Sequence, residues 1–80
     1  MSQSLINNQR RKRKKTLSKR ELEILSLLSK GLRKQTISEQ LDISHSTVAT
    51  HAKNIYQKLG VINAAGAVGK AYRDGILSLD

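Results

Sequence analysis

The chain has 80 residues and no cysteine, and its fifteen Lys and Arg against six Asp and Glu give a net charge of +9. This length suffices for one small domain but not for a deep catalytic cleft. The lack of cysteine excludes a disulfide scaffold, a zinc–thiolate site and a thiol nucleophile. A basic excess of this size favours a polyanion as partner.

Most of the excess charge lies in one run of six cations: Arg10, Arg11, Lys12, Arg13, Lys14 and Lys15. Residues 1–15 have too few large apolar side chains to fold, so we predict a disordered basic arm there. The favoured role for the arm is contact with DNA phosphates. A solubilising tail, a linker or a nuclear localisation signal would have the same composition.

No apolar run approaches the roughly 20 residues of a membrane span, and the N-terminus lacks the apolar stretch of a secretory signal. We therefore expect a cytoplasmic protein without a membrane partner. Two tyrosines are the only aromatic residues, which argues against RNA-binding proteins that stack bases on aromatic rings. Proline is absent and good helix formers are abundant, so an all-α domain is expected over residues 16–80.

The first predicted helix spans about residues 19–30. Ser18 and Glu21 have the spacing of a capping box, and Leu17 and Leu22 have that of a hydrophobic staple. Gly31 suits the left-handed residue that ends a helix. An apolar stripe at helical spacing is expected to be buried: Leu22, Ile24, Leu25 and Leu28.

A helix-turn-helix unit is predicted over about residues 34–58. Its first helix covers about residues 34–41, and its second begins after the N-cap Ser44 and ends near Lys58, before Gly60. About three residues separate the two helices, which is the spacing of this motif. The corner lacks glycine, so Asp42 is expected to take the strained backbone conformation.

The second helix of this unit, the third of the chain, has one apolar and one polar face. At about 100° per residue, four apolar side chains fall within about 60° of one another: Val48, Ala52, Ile55 and Leu59. The opposite face contains Ser46, Thr50, Lys53, Asn54 and Gln57. No carboxylate occurs between Ser44 and Leu59. Such a face can approach phosphates and base edges without charge repulsion.

A fourth helix is predicted over about residues 64–74, although Gly66 and Gly69 each cost it up to about 1 kcal/mol relative to Ala. One interpretation is a close helix–helix contact between two subunits, with Ala65, Gly69 and Tyr72 at the interface. The other is a frayed helix whose apolar side chains cover the core. The sequence leaves both open.

Residues 16–79 resemble the LuxR-type (GerE-like) helix-turn-helix domain of bacterial transcription regulators. The matching positions are Leu17-Ser18-x-Arg20-Glu21-x-Glu23-Ile24-Leu25, Gly31-Leu32, Ile43-Ser44-x-Ser46-Thr47-Val48, His51, Asn54-Ile55, Lys58-Leu59-Gly60-Val61, Asn63 and Ala67-Val68. The resemblance implies four helices, with the third in the major groove and the fourth pairing two subunits.

The resemblance also implies roles for individual residues. Ala49, Thr50 and Lys53 would face base edges. A second group would lie near the phosphate backbone: Thr47, His51, Asn54 and Lys58. Combined with the outward face of the third helix, the base-facing set becomes Ser46, Ala49, Thr50, Lys53, Asn54 and Gln57.

Three positions depart from the family pattern. Ala49 stands where Lys is common, and it cannot donate to guanine but can contact a thymine methyl. Lys34-Gln35-Thr36 replaces Asn-Lys-Glu, so Lys34 is expected to contact phosphate from a shifted position. Ala64 replaces Arg. The basic arm can restore affinity without specificity, because phosphate contacts contain no base information.

We therefore expect a sequence-specific regulator of transcription that binds double-stranded DNA as a homodimer, with RNA polymerase or another regulator as further partners. The alternative is a protein-interaction module or anti-regulator that kept the helical scaffold but binds DNA weakly or non-specifically. No nucleophile–base arrangement or phosphate loop indicates an enzyme, and no cofactor is expected. His45 and His51 point about 120° apart on one helix, so no metal site is expected.

Overall fold

The computed structural model describes residues 16–78. They form four helices and no strand: α1 (Lys19–Ser29), α2 (Lys34–Leu41), α3 (His45–Leu59) and α4 (Ala64–Arg73). The predicted four-helix class is confirmed, and each helix bound lies within one residue of its predicted place. The predicted arm, residues 1–15, and the last two residues lie outside the described part of the chain.

The start of α1 is fixed by the predicted capping box. The Glu21 N–H donates to Ser18 Oγ over 3.1 Å, and the Ser18 N–H donates to Glu21 Oε1 over 2.9 Å. The helix is followed by Gly31, whose φ of 83° lies in the left-handed region. Such a residue ends a helix at little cost when it has no Cβ.

The predicted buried stripe of α1 is wrong in one residue. Ile24 and Leu25 are fully buried and Leu28 is half-buried against the core, but Leu22 is 38% exposed. Around the helix axis, the direction midway between Ile24 and Leu25 lies about 110° from Leu22, yet close to Glu21. Burial is therefore centred on the side of α1 that includes Glu21, which is 4% exposed, and Leu22 lies outside it.

The corner between α2 and α3 has the predicted geometry. Asp42 adopts a left-handed conformation with φ 57° and ψ 47°, and it is the one non-glycine residue among residues 16–78 with positive φ. Aspartate tolerates this region better than most side chains. Ser44 then caps α3, its Oγ accepting from the Thr47 N–H over 3.0 Å.

Helix α3 is the centre of the domain, since its contacts with the other three helices are together more extensive than those of any other helix. Its predicted apolar face is confirmed, because Val48, Ala52 and Ile55 are at most 1% exposed and Leu59 is 7% exposed. Burying an aliphatic side chain of this size contributes about 1.5–3 kcal/mol. This packing fixes α3 by one face and leaves its opposite face to solvent.

Helix α4 closes the core with small side chains. The Asn63 side chain caps it by accepting from the Gly66 N–H over 2.9 Å. Ala67 and Ala71 are fully buried, while Ile76 and Leu77 pack against the core beyond the helix end. Among residues 16–78, no helix has the length and apolar character needed to cross a membrane.

Candidate nucleic-acid interface

The outward face of α3 forms a polar ridge along the helix. We call Ser46, Thr50, Lys53 and Gln57 the α3 ridge; all four are exposed. Ala49 and Asn54 are half-buried at its two sides. The predicted base-facing residues thus lie on one surface of one helix, and the sequence of α3 contains no carboxylate that would repel a phosphate.

Hydroxyl groups cluster at the N-terminus of α3. Ser44 Oγ lies 2.8 Å from Thr47 Oγ1 and 3.1 Å from Ser46 Oγ, in addition to its bond from the Thr47 N–H. These contacts hold the first turn of α3 together. The exposed Ser46 and Thr47 hydroxyls are therefore fixed at the helix end where backbone N–H groups favour an anion.

Lys58 does not present a free ammonium group. Its Nζ lies 2.8 Å from Glu21 Oε1 and 3.5 Å from the Thr16 carbonyl oxygen. Burial raises the pKa of the Glu21 carboxyl, but the hydrogen bonds from Lys58 and Ser18 and the charge of Lys58 outweigh it, so the net pKa lies below its ordinary value. The predicted phosphate contact of Lys58 therefore competes with an ion pair inside the domain.

The turn between α1 and α2 contains three cations, of which only Lys34 was predicted to contact phosphate. We call Lys30, Arg33 and Lys34 the turn cations. The first two are exposed and Lys34 is half-buried. Within residues 16–78, ion pairs join only Arg20 to Glu23, Lys58 to Glu21 and Lys70 to Asp74. The sequence contains a signal for this group, since three of the five residues from Lys30 to Lys34 are cations.

Two of the turn cations, Arg33 and Lys34, lie at the start of α2, while Lys30 is the C-cap residue of α1. Arg33 is the N-cap residue, its side chain makes no capping hydrogen bond, and the first turn of α2 has no acidic residue. Cations at the positive end of a helix are unfavourable unless an anion compensates them. The start of α2 is thus electropositive, because the charges of Arg33 and Lys34 add to the positive end of the helix dipole.

Four small or apolar residues lie on or just before α4 and outside the core. We call Ile62, Ala65, Gly69 and Tyr72 the α4 surface. Ile62 is 91% exposed, Ala65 is exposed, and Gly69 and Tyr72 are half-buried. Ile62 was missed from the sequence because an apolar residue just before a helix is normally expected to pack on that helix.

The two histidines of α3, His45 and His51, do not belong to a group of potential metal ligands in the described residues. His45 is exposed and His51 is half-buried. In residues 16–78 no three His, Cys, Asp or Glu side chains are grouped so that they could hold a metal ion. Tyr56 packs against the core, and burial raises its pKa.

Residues 15–71 match the family described as bacterial regulatory proteins, luxR family. The chain belongs to this family of DNA-binding regulators. The match includes α1, α2, α3 and most of α4.

Relatives of the LuxR-family chain are described as regulators of transcription. The chain is 40% identical over 57 residues to the HTH-type transcriptional regulator MalT of Yersinia pestis. It is 45% identical over 60 residues to the uncharacterized transcriptional regulatory protein YxjL of Bacillus subtilis. The matched parts are 71% and 75% of this chain but only 6% and 28% of those relatives.

Two solved structures share the fold of this LuxR-family domain. The transcription factor GerE superposes with a TM-score of 0.74 at 45% identity, over 80% of this chain and 96% of that one. The response regulator ChrA, from a heme-sensing two-component system, gives a TM-score of 0.76 at 42% identity, over 78% of this chain and 31% of that one. The same domain therefore occurs both nearly alone and as a minor part of a longer chain.

Proposed function

We propose that this protein is a regulator of transcription that binds double-stranded DNA in a sequence-specific manner, with α3 in the major groove. The observation that supports this most is the α3 ridge, a polar, acid-free and exposed surface on the most extensively packed helix of the domain. A helix laid in the groove needs such a surface, because base edges and phosphates both present acceptors. Duplex DNA as target also implies a cytoplasmic location.

Base recognition is proposed for the side chains on and beside the α3 ridge: Ser46, Ala49, Thr50, Lys53, Asn54 and Gln57. Phosphate contacts are proposed for Thr47 and His51, for the turn cations, and for the six cations at residues 10–15. Lys58 is reassigned. Its ammonium group is held by Glu21, so it stabilises the domain instead of contacting a phosphate.

The test separates base recognition from phosphate attraction. Lys53→Ala should weaken binding to the preferred duplex by about 1–3 kcal/mol and leave binding to unrelated duplexes nearly unchanged. Lys19→Ala is the matched control, because it removes an exposed lysine from α1 instead of α3. Fluorescence anisotropy over a range of salt concentrations measures both.

Neutralising residues 10–15 should have the opposite signature. It should weaken all duplexes alike and reduce the slope of the salt dependence by about 0.9 for each phosphate that the arm no longer neutralises. If that change removes all binding while Lys53→Ala and Asn54→Ala have no effect, the interaction-module alternative is correct.

One observation supports a protein partner in addition to DNA. A groove of about 470 Å³ runs between α1 and α2, and its lining includes the exposed Leu22 together with Leu27 and Leu41. No residue of α3 contributes to it, so a protein such as RNA polymerase or another regulator could bind there without blocking the α3 ridge. Binding of DNA and of such a partner are thus compatible.

We also propose that the protein acts as a homodimer through the α4 surface. The 91% exposure of Ile62 beside a helix of small residues supports this, since burying an apolar side chain of this size against a second copy is favourable. A two-fold dimer requires two half-sites about one turn of DNA apart, roughly 10 base pairs. Sedimentation with and without a palindromic duplex measures the stoichiometry.

A further inference from the structure

Three residues of α3 lie in a row along one side of its exposed face. Ala49, Lys53 and Gln57 are four residues apart, so each is displaced from the next by about 40° around the helix and about 6 Å along it. We call them the readout row. Lys53 and Gln57 are exposed, and Ala49 is half-buried.

The chemistry of the row differs at each position. Lys53 forms no ion pair within residues 16–78, and its ammonium can donate to both guanine N7 and O6. The Gln57 amide matches adenine, since it can donate to N7 and accept from N6. Ala49 has a single methyl group, which can contact the methyl of thymine and nothing that requires a donor.

The spacing of the row converts this chemistry into a pattern of base pairs. A separation of about 6 Å corresponds to nearly two base pairs at about 3.4 Å each. We propose that the preferred half-site has a G·C pair recognised by Lys53, between two A·T pairs recognised by Ala49 and Gln57, each about two base pairs away. This rests on the proposed function, and it names the bases that the same surface selects.

The three positions should differ in strength. Lys53 contributes a charged, two-bond contact, so its G·C pair should be the most strongly selected. Gln57 contributes a neutral two-bond contact and comes next. Ala49 contributes an apolar contact alone, so its A·T pair should be the least selected.

The experiment is selection of bound duplexes from a random pool with the full chain. Lys53→Ala should lower the preference for G·C at the central position by about 5- to 150-fold. Gln57→Ala should relax only the A·T pair on one side. Ala49→Lys should change the other A·T pair into a second G·C pair, which a general loss of affinity cannot do.

Controls separate charge and folding from recognition. Gln40→Lys adds the same charge as Ala49→Lys at an exposed site that lines the groove between α1 and α2, and it should leave the selected pattern unchanged. Thermal unfolding of each variant confirms that the domain remains folded, since all three row positions lie outside the core.

The outcomes distinguish the two proposals. A pool in which no sequence is enriched contradicts the proposed function itself. An enriched sequence that lacks the A·T, G·C, A·T spacing, or that Ala49→Lys and Gln57→Ala leave unaltered, overturns the readout row while sequence-specific binding stands. An enriched pattern that shifts with each variant at its own position supports both.

Discussion

Helices α3 and α4 differ in how clearly their residue types indicate which face is buried. Helix α3 has large apolar side chains on one face and polar ones on the other, so its buried and exposed faces follow from spacing alone. Helix α4 is built mainly of alanine and glycine, and small residues suit both a core and an interface. The faces of α3 were predicted correctly, whereas the role of α4 stayed open.

Each helix contains two residues of one type with different surroundings. In α3, Lys53 is exposed and outside any ion pair of residues 16–78, whereas Lys58 binds Glu21. In α4, a Cβ on Gly66 would lie 3.2 Å from Val61 Cβ, whereas on Gly69 its nearest neighbour would be Arg73 Nη1 at 3.6 Å. The partner, and not the residue type, decides the role.

The largest expected difference is between the two lysines. Lys58→Ala should lower the free energy of unfolding by about 2 kcal/mol, because it leaves the Glu21 carboxylate buried without its ion-pair partner. Lys53→Ala should change it by less than about 0.5 kcal/mol. Urea unfolding followed by circular dichroism measures both.

The double variant Glu21→Gln with Lys58→Met isolates the ion pair from packing. Removing both charges should cost less than Lys58→Met alone, which keeps the same side chain at position 58 but leaves the Glu21 charge buried and unpaired. A double variant that is no more stable than Lys58→Met alone would contradict the role of the unpaired Glu21 charge.

Alanine substitutions at Gly66 and Gly69 should also differ in their effect on the free energy of unfolding, by less than the two lysine variants do. Gly69→Ala should stabilise the isolated domain by up to about 1 kcal/mol, since the position is helical and open. Gly66→Ala should stabilise the domain less than Gly69→Ala or destabilise it, because the added Cβ would force Val61 to move. Thermal unfolding at low protein concentration compares them.

The same two variants test the α4 surface. If two copies pack closely at Gly69, Gly69→Ala should weaken the dimer while it stabilises the monomer. Sedimentation equilibrium at several concentrations gives the dissociation constant. Unchanged dimerisation in Gly69→Ala, together with unchanged dimerisation in Ile62→Ser, would exclude this surface as the interface.

Acid should weaken the ion pair between Glu21 of α1 and Lys58 of α3. Because the pKa of Glu21 is lowered in the folded domain, its stabilising contribution is complete above the ordinary value of 4.5 and is lost as the pH falls through the lower, folded-state pKa. The unfolding free energy of Glu21→Gln should therefore fall less steeply in that range than that of the unaltered chain. Parallel curves would contradict the role of the ion pair.

The sequence was sufficient for features that depend on neighbours in the chain. Caps at Ser18 and Ser44, the left-handed Asp42 and the two faces of α3 are all local, and all were predicted. The misplaced features depend on distant contacts. Leu22 is exposed and Lys58 is paired because Glu21 is buried and its carboxylate meets Lys58, 37 residues later.

The candidate nucleic-acid interface was predicted only in part, because some of its features depend on contacts between helices. Helical spacing placed the α3 ridge, because a single helix sets the directions of its side chains. Spacing could not show that Lys58 is occupied or that Ile62 projects into solvent. The turn cations were overlooked except for Lys34, since the direction of a turn is set by the packing of the helices on either side.

The double contact of Lys58 has a geometric consequence for the chain that precedes the domain. Since its ammonium group reaches both Glu21 and the carbonyl oxygen of Thr16, residue 16 is tied to the C-terminal end of the helix that we place on DNA. The chain therefore enters the domain beside this end of α3, at a point that the contact with Lys58 holds in place. Lys58→Ala would remove the contact that holds this entry point beside α3.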